Sequence, residues 1–498
     1  MLLTMSHAVI VSSVLVPADG TYVCDIGSRL ELFVDDWLIE RLEGGADRRL
    51  HHPEPREVAL VLDRSWEGNA VGYVTVFRDG EGFRMYYRGA HVVYTPEAST
   101  ETHPEYTCLA ESPDGVHWER PVLGLHEIEG SRDNNVVVAP AEGWGLATHN
   151  FTPFIDPRPG VPAAERYKAL GGVGQGAGGV YAFASADGVR WRKLHDGPVI
   201  TEGDFDSQNL AFWDASRGEY RFYGRKFRDG RDIITCTSPD FVSWTTPQFV
   251  DYSPGRVSEL YTNQVWPYPR APHIWIGFPT RYIDRGWTEA ARHLPQIEYR
   301  ELRAKASVRE GTALTDGMLM STRDGQHFDV WPESFIRPGL RTAGNWFYGD
   351  NYQCLGLIET PSAIEGAPPE LSFFATENNL QKAPARLRRF AIRVDGFVSI
   401  QAPLSGGELL TRPLLFAGSR LLLNYSTSAA GSVQEEIQDT KGQPMPGFSL
   451  AESEALYGDS LEQAVVWKGS PDLAALSGQA VRLRFVLRDA DLYSLRFG

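Results

Sequence analysis

Apolar and polar positions alternate in short runs along most of this chain, the period of half-buried strands rather than of helices. Residues 72–89, GYVTVFRDGEGFRMYYRG, hold two such runs around Asp79-Gly80, a two-residue hairpin signal. The pattern returns in NLAFWDASRGEYRFYGRKF at 209–227, with a turn at 216–218, and in QVWPYPRAPHIWIGFPTRY at 264–282. Weaker versions are FTPFIDPRPG with RYKALGGV (151–173) and CLGLIET with LSFFATE (354–377). A third apolar run follows each pair: YTCLAE, VYAFAS, IITCTS, GMLMS and RRFAIR.

These third runs end in a repeated turn. Residues 112–118 read SPDGVHW, 185–191 SADGVRW and 238–244 SPDFVSW. STRDGQHF at 321–328 is a fourth copy, one residue longer, and VDGFVSI at 394–400 is a worn fifth. Ser and Asp side chains accept hydrogen bonds from a tight turn, Gly allows positive φ, and the aromatic packs back on the sheet. The box aspartates Asp114, Asp187, Asp240 and Asp324 are therefore read as structural.

Two strands, then a third, a box and a last strand make a four-stranded blade. Five blades close a ring that leaves few open edges. After about residue 404 the boxes stop, and runs such as RLLLNYST, SVQEEIQD and VRLRFVLRD predict a β-sandwich. The chain is thus expected to be all-β: a segment at 1–28, a five-bladed β-propeller at 29–403 and a C-terminal β-sandwich at 404–498.

Composition changes this picture little. Gly (49) and Pro (32) are plentiful, as many turns require, and 498 residues are ample for a large core. A net charge of −16 argues against nucleic acid or an anionic membrane surface as partner. Four cysteines without a C-x-x-C pair predict buried free thiols. The apolar run HAVIVSSVLV at 7–16 has no Lys or Arg before it, a poor secretory leader, so cytoplasmic and secreted or periplasmic locations both stay open. The oligomeric state is open as well.

The repeated S-x-D-x-x-x-W turns on a five-bladed plan resemble the furanosidase-type glycosidases of families 32, 43 and 68. LELFVDDWLIE (30–40) and WERPVLGLHEIEGSRDNN (118–135) look like bacterial proteins grouped with family 32. The departures are specific. No N-D-P-N-G segment is present, Ile155 stands before Asp156-Pro157 where family 32 has arginine, and no Glu-Cys pair exists. Invertase-like activity is not implied.

The resemblance implies a central pocket lined by the start of each blade's innermost strand. That places Trp66, Glu67 and Asn69, then His149 and Asn150, then Asp206 and Asn209, then Glu259 and Asn263, then Trp346 and Asp350 around one site. Glycoside cleavage needs one carboxylic acid to protonate the leaving oxygen and one carboxylate as nucleophile or base. Glu67, Asp206, Glu259 and Asp350 are the candidate catalytic set, with Glu259 as acid and Asp206 as base or nucleophile. Trp66, Asn69, His149, Asn150, Asn209, Arg225, Asn263, Arg281 and Trp346 are candidate substrate-binding residues. The expected partner is a carbohydrate, with no cofactor, and a structural cation at the propeller centre is left open. Two alternatives stand: a glycoside phosphorylase using Arg225, Arg281 and His149 for phosphate, and a propeller that binds glycans without cutting them.

Overall fold

The computed structural model describes residues 22–174 and 178–498, with the strand Val14–Leu15. Apart from that strand, the apolar run at 7–16 lies outside the described residues. The fold is all-β, 45% strand and 6% helix. Two compact units emerge. The first comprises Met1–His52, Pro267–Ile274 and Arg393–Gly498; the second comprises Pro53–Trp266 and Trp275–Ile392.

The second unit is a series of sheets, antiparallel except for one pairing. Thr75–Asp79, Gly82–Gly89, Tyr106–Ser112 and Val136–Val138 form the first, in chain order. Thr152–Ile155, Tyr167–Gly171, Tyr181–Ser185 and Arg192–Lys193 form the next. Leu210–Asp214, Glu219–Phe227, Arg231–Ser238 and Gln248–Phe249 follow the same order. Further along, Trp275, Ile276 and Gly277 pair with Met320–Thr322, which pairs with His327–Val330, which takes Asp251–Ser253 in parallel. The last sheet runs Ile358–Thr360, Glu370–Glu377, Arg386–Ile392 and then Glu54–Val61, so the start of the unit is hydrogen-bonded to its end.

The repeated box is a hydrogen-bonded turn. Ser112 Oγ accepts from the Gly115 N–H at 2.8 Å, and Asp114 Oδ1 accepts from Val116 and His117 N–H, each at 2.9 Å. Trp118 Nε1 donates back to the Gly115 carbonyl. The boxes from Ser185 and Ser238 repeat each bond. In the fourth copy the role of Ser falls to Thr322, whose Oγ1 accepts from Gly325 N–H, so the box starts one residue later than Ser321 and has the usual length. Its positive φ is supplied by glycine at 115, 188 and 325, while the third copy holds Phe241 at φ +71°. The stretch at 394–400 lacks these bonds: Asp395 instead accepts from Tyr268 and Arg270 inside the first unit.

Buried amides link the sheets of the second unit. Gln208 Nε2 donates to Thr75 Oγ1 at 2.9 Å, and Gln264 Nε2 donates to Gln208 Oε1 at 2.6 Å and the Gln353 carbonyl at 2.7 Å. Burying polar groups is tolerable only with such partners.

The first unit is organised around the long strands Leu421–Gln438 and Arg482–Phe497, which pair antiparallel. Gly407–Thr411 pairs with Arg482–Phe497 and with Ile39–Gly44, while Val398–Ala402 pairs with Asp47–Leu50. Val23–Gly27 runs parallel to Leu414–Phe416. Strands at 23–50, which the sequence divides between the first segment and the propeller, thus pair with strands of the C-terminal residues, Val23–Gly27 in a small separate sheet and the others in the large one. All four cysteines are free and buried. No helix of the described residues is long and apolar enough to cross a membrane.

Candidate functional site

One cluster of charged and aromatic side chains in the second unit is drawn from the ends of strands in several sheets. Arg88 lies near the end of Gly82–Gly89, and Glu105 immediately precedes Tyr106–Ser112. His149 closes the short 3-10 turn Ala147–His149. Asp206 sits in the loop before Leu210–Asp214, and Arg225 near the end of Glu219–Phe227.

His149 joins two carboxylates: Nε2 lies 2.9 Å from Asp206 Oδ1, and Nδ1 lies 2.9 Å from Glu105 Oε2 and 3.1 Å from Arg88 Nη1. Arg88 Nη1 stands 3.2 Å from Glu105, and Arg225 Nη2 stands 3.5 Å from Asp206. Burial would raise the Asp206 carboxyl, but the His149 hydrogen bond and the charges of His149, Arg225 and Arg88 outweigh it and hold it at about 2. Glu105 is held at about 2 in the same way: burial pushes up, and Arg88 and His149 prevail. For His149, burial and Arg88 push downward; the bonds to Asp206 and Glu105 win and keep the imidazole above its ordinary value. His149 is thus set between two carboxylates. Asp206 keeps 49% of its side chain open, whereas Glu105 keeps only 14%. Asp206 is therefore the more open of the two carboxylates on His149.

Tyrosines wall this cluster. The Tyr73 ring centroid is 5.4 Å from that of His149 and 5.2 Å from the Arg88 guanidinium carbon. Arg225 and Arg231 stack on Tyr261, at 5.0 and 5.1 Å, and Arg231 also lies 4.2 Å from the Tyr282 ring centre. Tyr348 donates its hydroxyl proton to Tyr261 Oη at 2.8 Å. Arg231 Nη1 in turn donates to Glu259 at 2.8 Å. A continuous path thus runs from Glu105 through His149, Asp206, Arg225, Tyr261 and Arg231 to Glu259. Of the residues singled out in the sequence, it brings together His149, Asp206, Arg225 and Glu259.

The others have different surroundings. Glu67 is fully buried, accepting from Tyr87 Oη at 2.5 Å and from Arg120 at 2.7 and 2.9 Å. Asp350 is buried too, and its two oxygens accept from the Phe347 and Asn379 N–H groups. Burial pushes its carboxyl up to about 7 against those two bonds. Trp66 donates to Asn135. Asn69, Asn150 and Asn209 are buried and donate to loop carbonyls, and Asn263 accepts from Val265 N–H. Arg281 and Trp346 line a separate cleft.

Tyr73, Arg88, Glu105 and Arg231 escaped the sequence reading. A signal exists for three of them. Arg88 in MYYRG and Arg225 in RFYGRK occupy matching places in the second strands of their hairpins, and Glu105 and Arg231 each stand at the start of a third strand. Among the described residues no group of three or more His, Cys, Asp or Glu side chains is arranged to hold a metal ion.

No family model matches the chain, and no curated protein matches it. Among solved structures, it is similar to an N-acetylgalactosamine deacetylase from F. plautii bound to blood group B trisaccharide: 14% identity over 68% of this chain and 94% of the other, TM-score 0.42. A thermostable family-43 glycoside hydrolase shares 10% identity over 72% of this chain and 97% of its own, TM-score 0.43. A member of a mannoside phosphorylase family containing hydrolases of β-1,2 mannosidic linkages in Candida mannan shares 10% over 68% and 94%, TM-score 0.40. At these identities and scores the likenesses are ones of outline, and none assigns chemistry to this chain.

Proposed function

We propose that this chain is a five-bladed β-propeller glycosidase with a C-terminal β-sandwich, cleaving a glycosidic bond at the Asp206 cluster. The ring is supported by the pairing of Glu54–Val61 with Arg386–Ile392, which ties the first strand of the second unit to its last, and by the Gln208, Gln264 and Thr75 bonds between sheets. The propeller lies within 29–403, and the sandwich is built on 404–498 with strands from 23–50 paired to its two sheets.

The observation that carries the activity is Asp206: open to solvent and ionised, yet held by His149 and flanked by Arg225. Such a carboxylate serves as nucleophile toward the anomeric carbon or as base toward an attacking water. Glu259 is the proton donor in this reading. It delivers its proton to the leaving oxygen after exchanging its contact with Arg231 for one with the substrate. Tyr73, Tyr261 and Tyr282 supply aromatic faces, and Arg88 and Arg225 supply donors for sugar hydroxyls. Glu105 acts through His149 and is a positioning residue.

Arg225 and His149 beside Asp206 also favour phosphate in place of water, so the test is run both ways. Release of sugar from a panel of aryl glycosides and oligosaccharides is measured with and without phosphate, for wild type, Asp206→Asn and Glu259→Gln. The expected result is turnover reduced at least about a thousandfold in both folded variants. Turnover that needs phosphate selects the phosphorylase. Turnover unaffected by either change removes the proposed site, and sugar binding without any turnover makes the chain a glycan-binding propeller.

A further inference from the structure

A cleft lies on the opposite face of a small sheet from the Asp206 path. The sheet comprises Glu259–Leu260, Thr280–Asp284 and Ala313–Gly317. Tyr282 faces Glu259 and Thr315 across the ladders, while Arg281 faces Leu260 and Asp316. Successive side chains on a strand point to opposite faces, so Arg281 and Asp316 turn away from Tyr282 and Glu259. They line a cleft of about 500 Å³ together with Arg285, Arg337, Pro338 and Trp346. That volume suits a small oligosaccharide.

Its charge is unlike that of the chain. Three arginines stand against a single lining carboxylate, in a protein of net charge −16. Asp316 is already taken: both its oxygens accept from Arg281, at 2.8 and 2.6 Å, and the remaining Arg281 nitrogen donates to the Pro332 carbonyl at 2.9 Å. Arg285 and Arg337 have no hydrogen-bond or ion-pair partner among the described residues, so their guanidinium forks are free for a ligand.

Trp346 forms an aromatic wall in an unfavourable backbone conformation, φ +66°. Its N–H donates to Asn345 Oδ1 at 2.7 Å, its indole N–H to the Gly339 carbonyl at 2.9 Å, and its carbonyl accepts from the buried Arg300. A tryptophan held against the steric preference of its backbone is a position the surroundings over-determine, and such positions gather at ligand sites.

We propose that this cleft binds an acidic saccharide, its carboxylate held by Arg285 and Arg337 and a sugar ring laid on Trp346. Planar guanidinium forks match carboxylate oxygens two to two, and an indole offers a flat apolar face to the C–H side of a pyranose. The inference stands independently of the chemistry at Asp206.

Calorimetric titration of the full chain with trigalacturonate and with its methyl ester tests it, for wild type, Arg285→Gln/Arg337→Gln and Asp206→Asn. Both arginines are exposed, so the double variant is expected to fold. The acid should bind at least about tenfold more tightly than the ester and at least about tenfold more weakly to the double variant, with Asp206→Asn indistinguishable from wild type. Equal affinity for acid and ester, unaltered binding by the double variant, loss of binding in Asp206→Asn, or no binding at millimolar ligand would each overturn the proposal.

Discussion

Replacing Asp350 by asparagine should change stability by an amount that depends on pH. Both carboxyl oxygens accept from backbone N–H groups, those of Phe347 and Asn379. A carboxamide has one acceptor oxygen, so one buried N–H loses its partner at a cost of about 1–3 kcal/mol. Titration works the other way. Burial raises the wild-type carboxyl from the ordinary aspartate value of 3.8 to about 7, so the native state binds the proton more tightly than the unfolded chain. The stability this contributes is fully present below 3.8 and is lost as pH rises toward 7. The loss is up to about 1.4 kcal/mol per pH unit, roughly 4 kcal/mol across the window. Asp350→Asn does not titrate. Relative to wild type it should gain up to about 4 kcal/mol of stability between pH 4 and pH 7. Urea unfolding of both proteins at pH 4, 5.5 and 7, followed by tryptophan fluorescence, reads the difference directly. A stability difference that stays constant from pH 4 to 7 would refute the reasoning.

Other consequences can be checked separately. Glu435, fully buried in the first unit with one oxygen unpartnered, is pushed by burial to about 8. The sign is that of Asp350, so Glu435→Gln should stabilise by about 3 kcal/mol or more at pH 8 and by little at pH 4.5, as urea unfolding at the two pH values would show. Glu105→Gln removes one of the two acceptors that hold His149 above its ordinary value, so the His149 titration followed by NMR should move down; an unmoved midpoint would contradict the Glu105–His149–Asp206 arrangement. Asp114→Ala deletes the acceptor for two N–H groups of a box turn and should cost about 1–2 kcal/mol in thermal unfolding, with turnover at saturating substrate unchanged.

The boxes were legible because their chemistry is local. Ser, Asp, Gly and Trp within seven residues make every bond of the turn, so reading the letters is reading the structure. The fourth copy shows the limit: Ser321 and Thr322 are adjacent hydroxyls, and only the hydrogen bonds reveal that Thr322 does the work. Long-range partners set a harder limit. Glu67 in WEGN reads like a pocket carboxylate, but Tyr87 and Arg120, 20 and 53 residues away, enclose it. Asp206 and His149 meet because strand starts converge; Arg88 and Glu105 lie at strand ends and starts that carry no apolar signature of their own. The helix Ile297–Ala306 was unreadable for a related reason. It buries Arg300 and Arg303, with Arg300 stacked on Phe347 and Arg303 paired with Glu310, so its inward face carries charge where an apolar stripe would be sought.

The central claim is that the Asp206 carboxylate does the chemistry, and rescue by a small anion tests it most directly. Asp206→Ala, given an aryl glycoside that wild type cleaves, should be nearly inactive alone and should regain turnover with added azide or formate. With azide, a glycosyl azide should accumulate, because the anion occupies the space the carboxylate leaves and attacks the anomeric carbon. An Asp206→Ala protein that retains wild-type turnover without any added anion, or an inactive one that neither anion restores, would contradict the account.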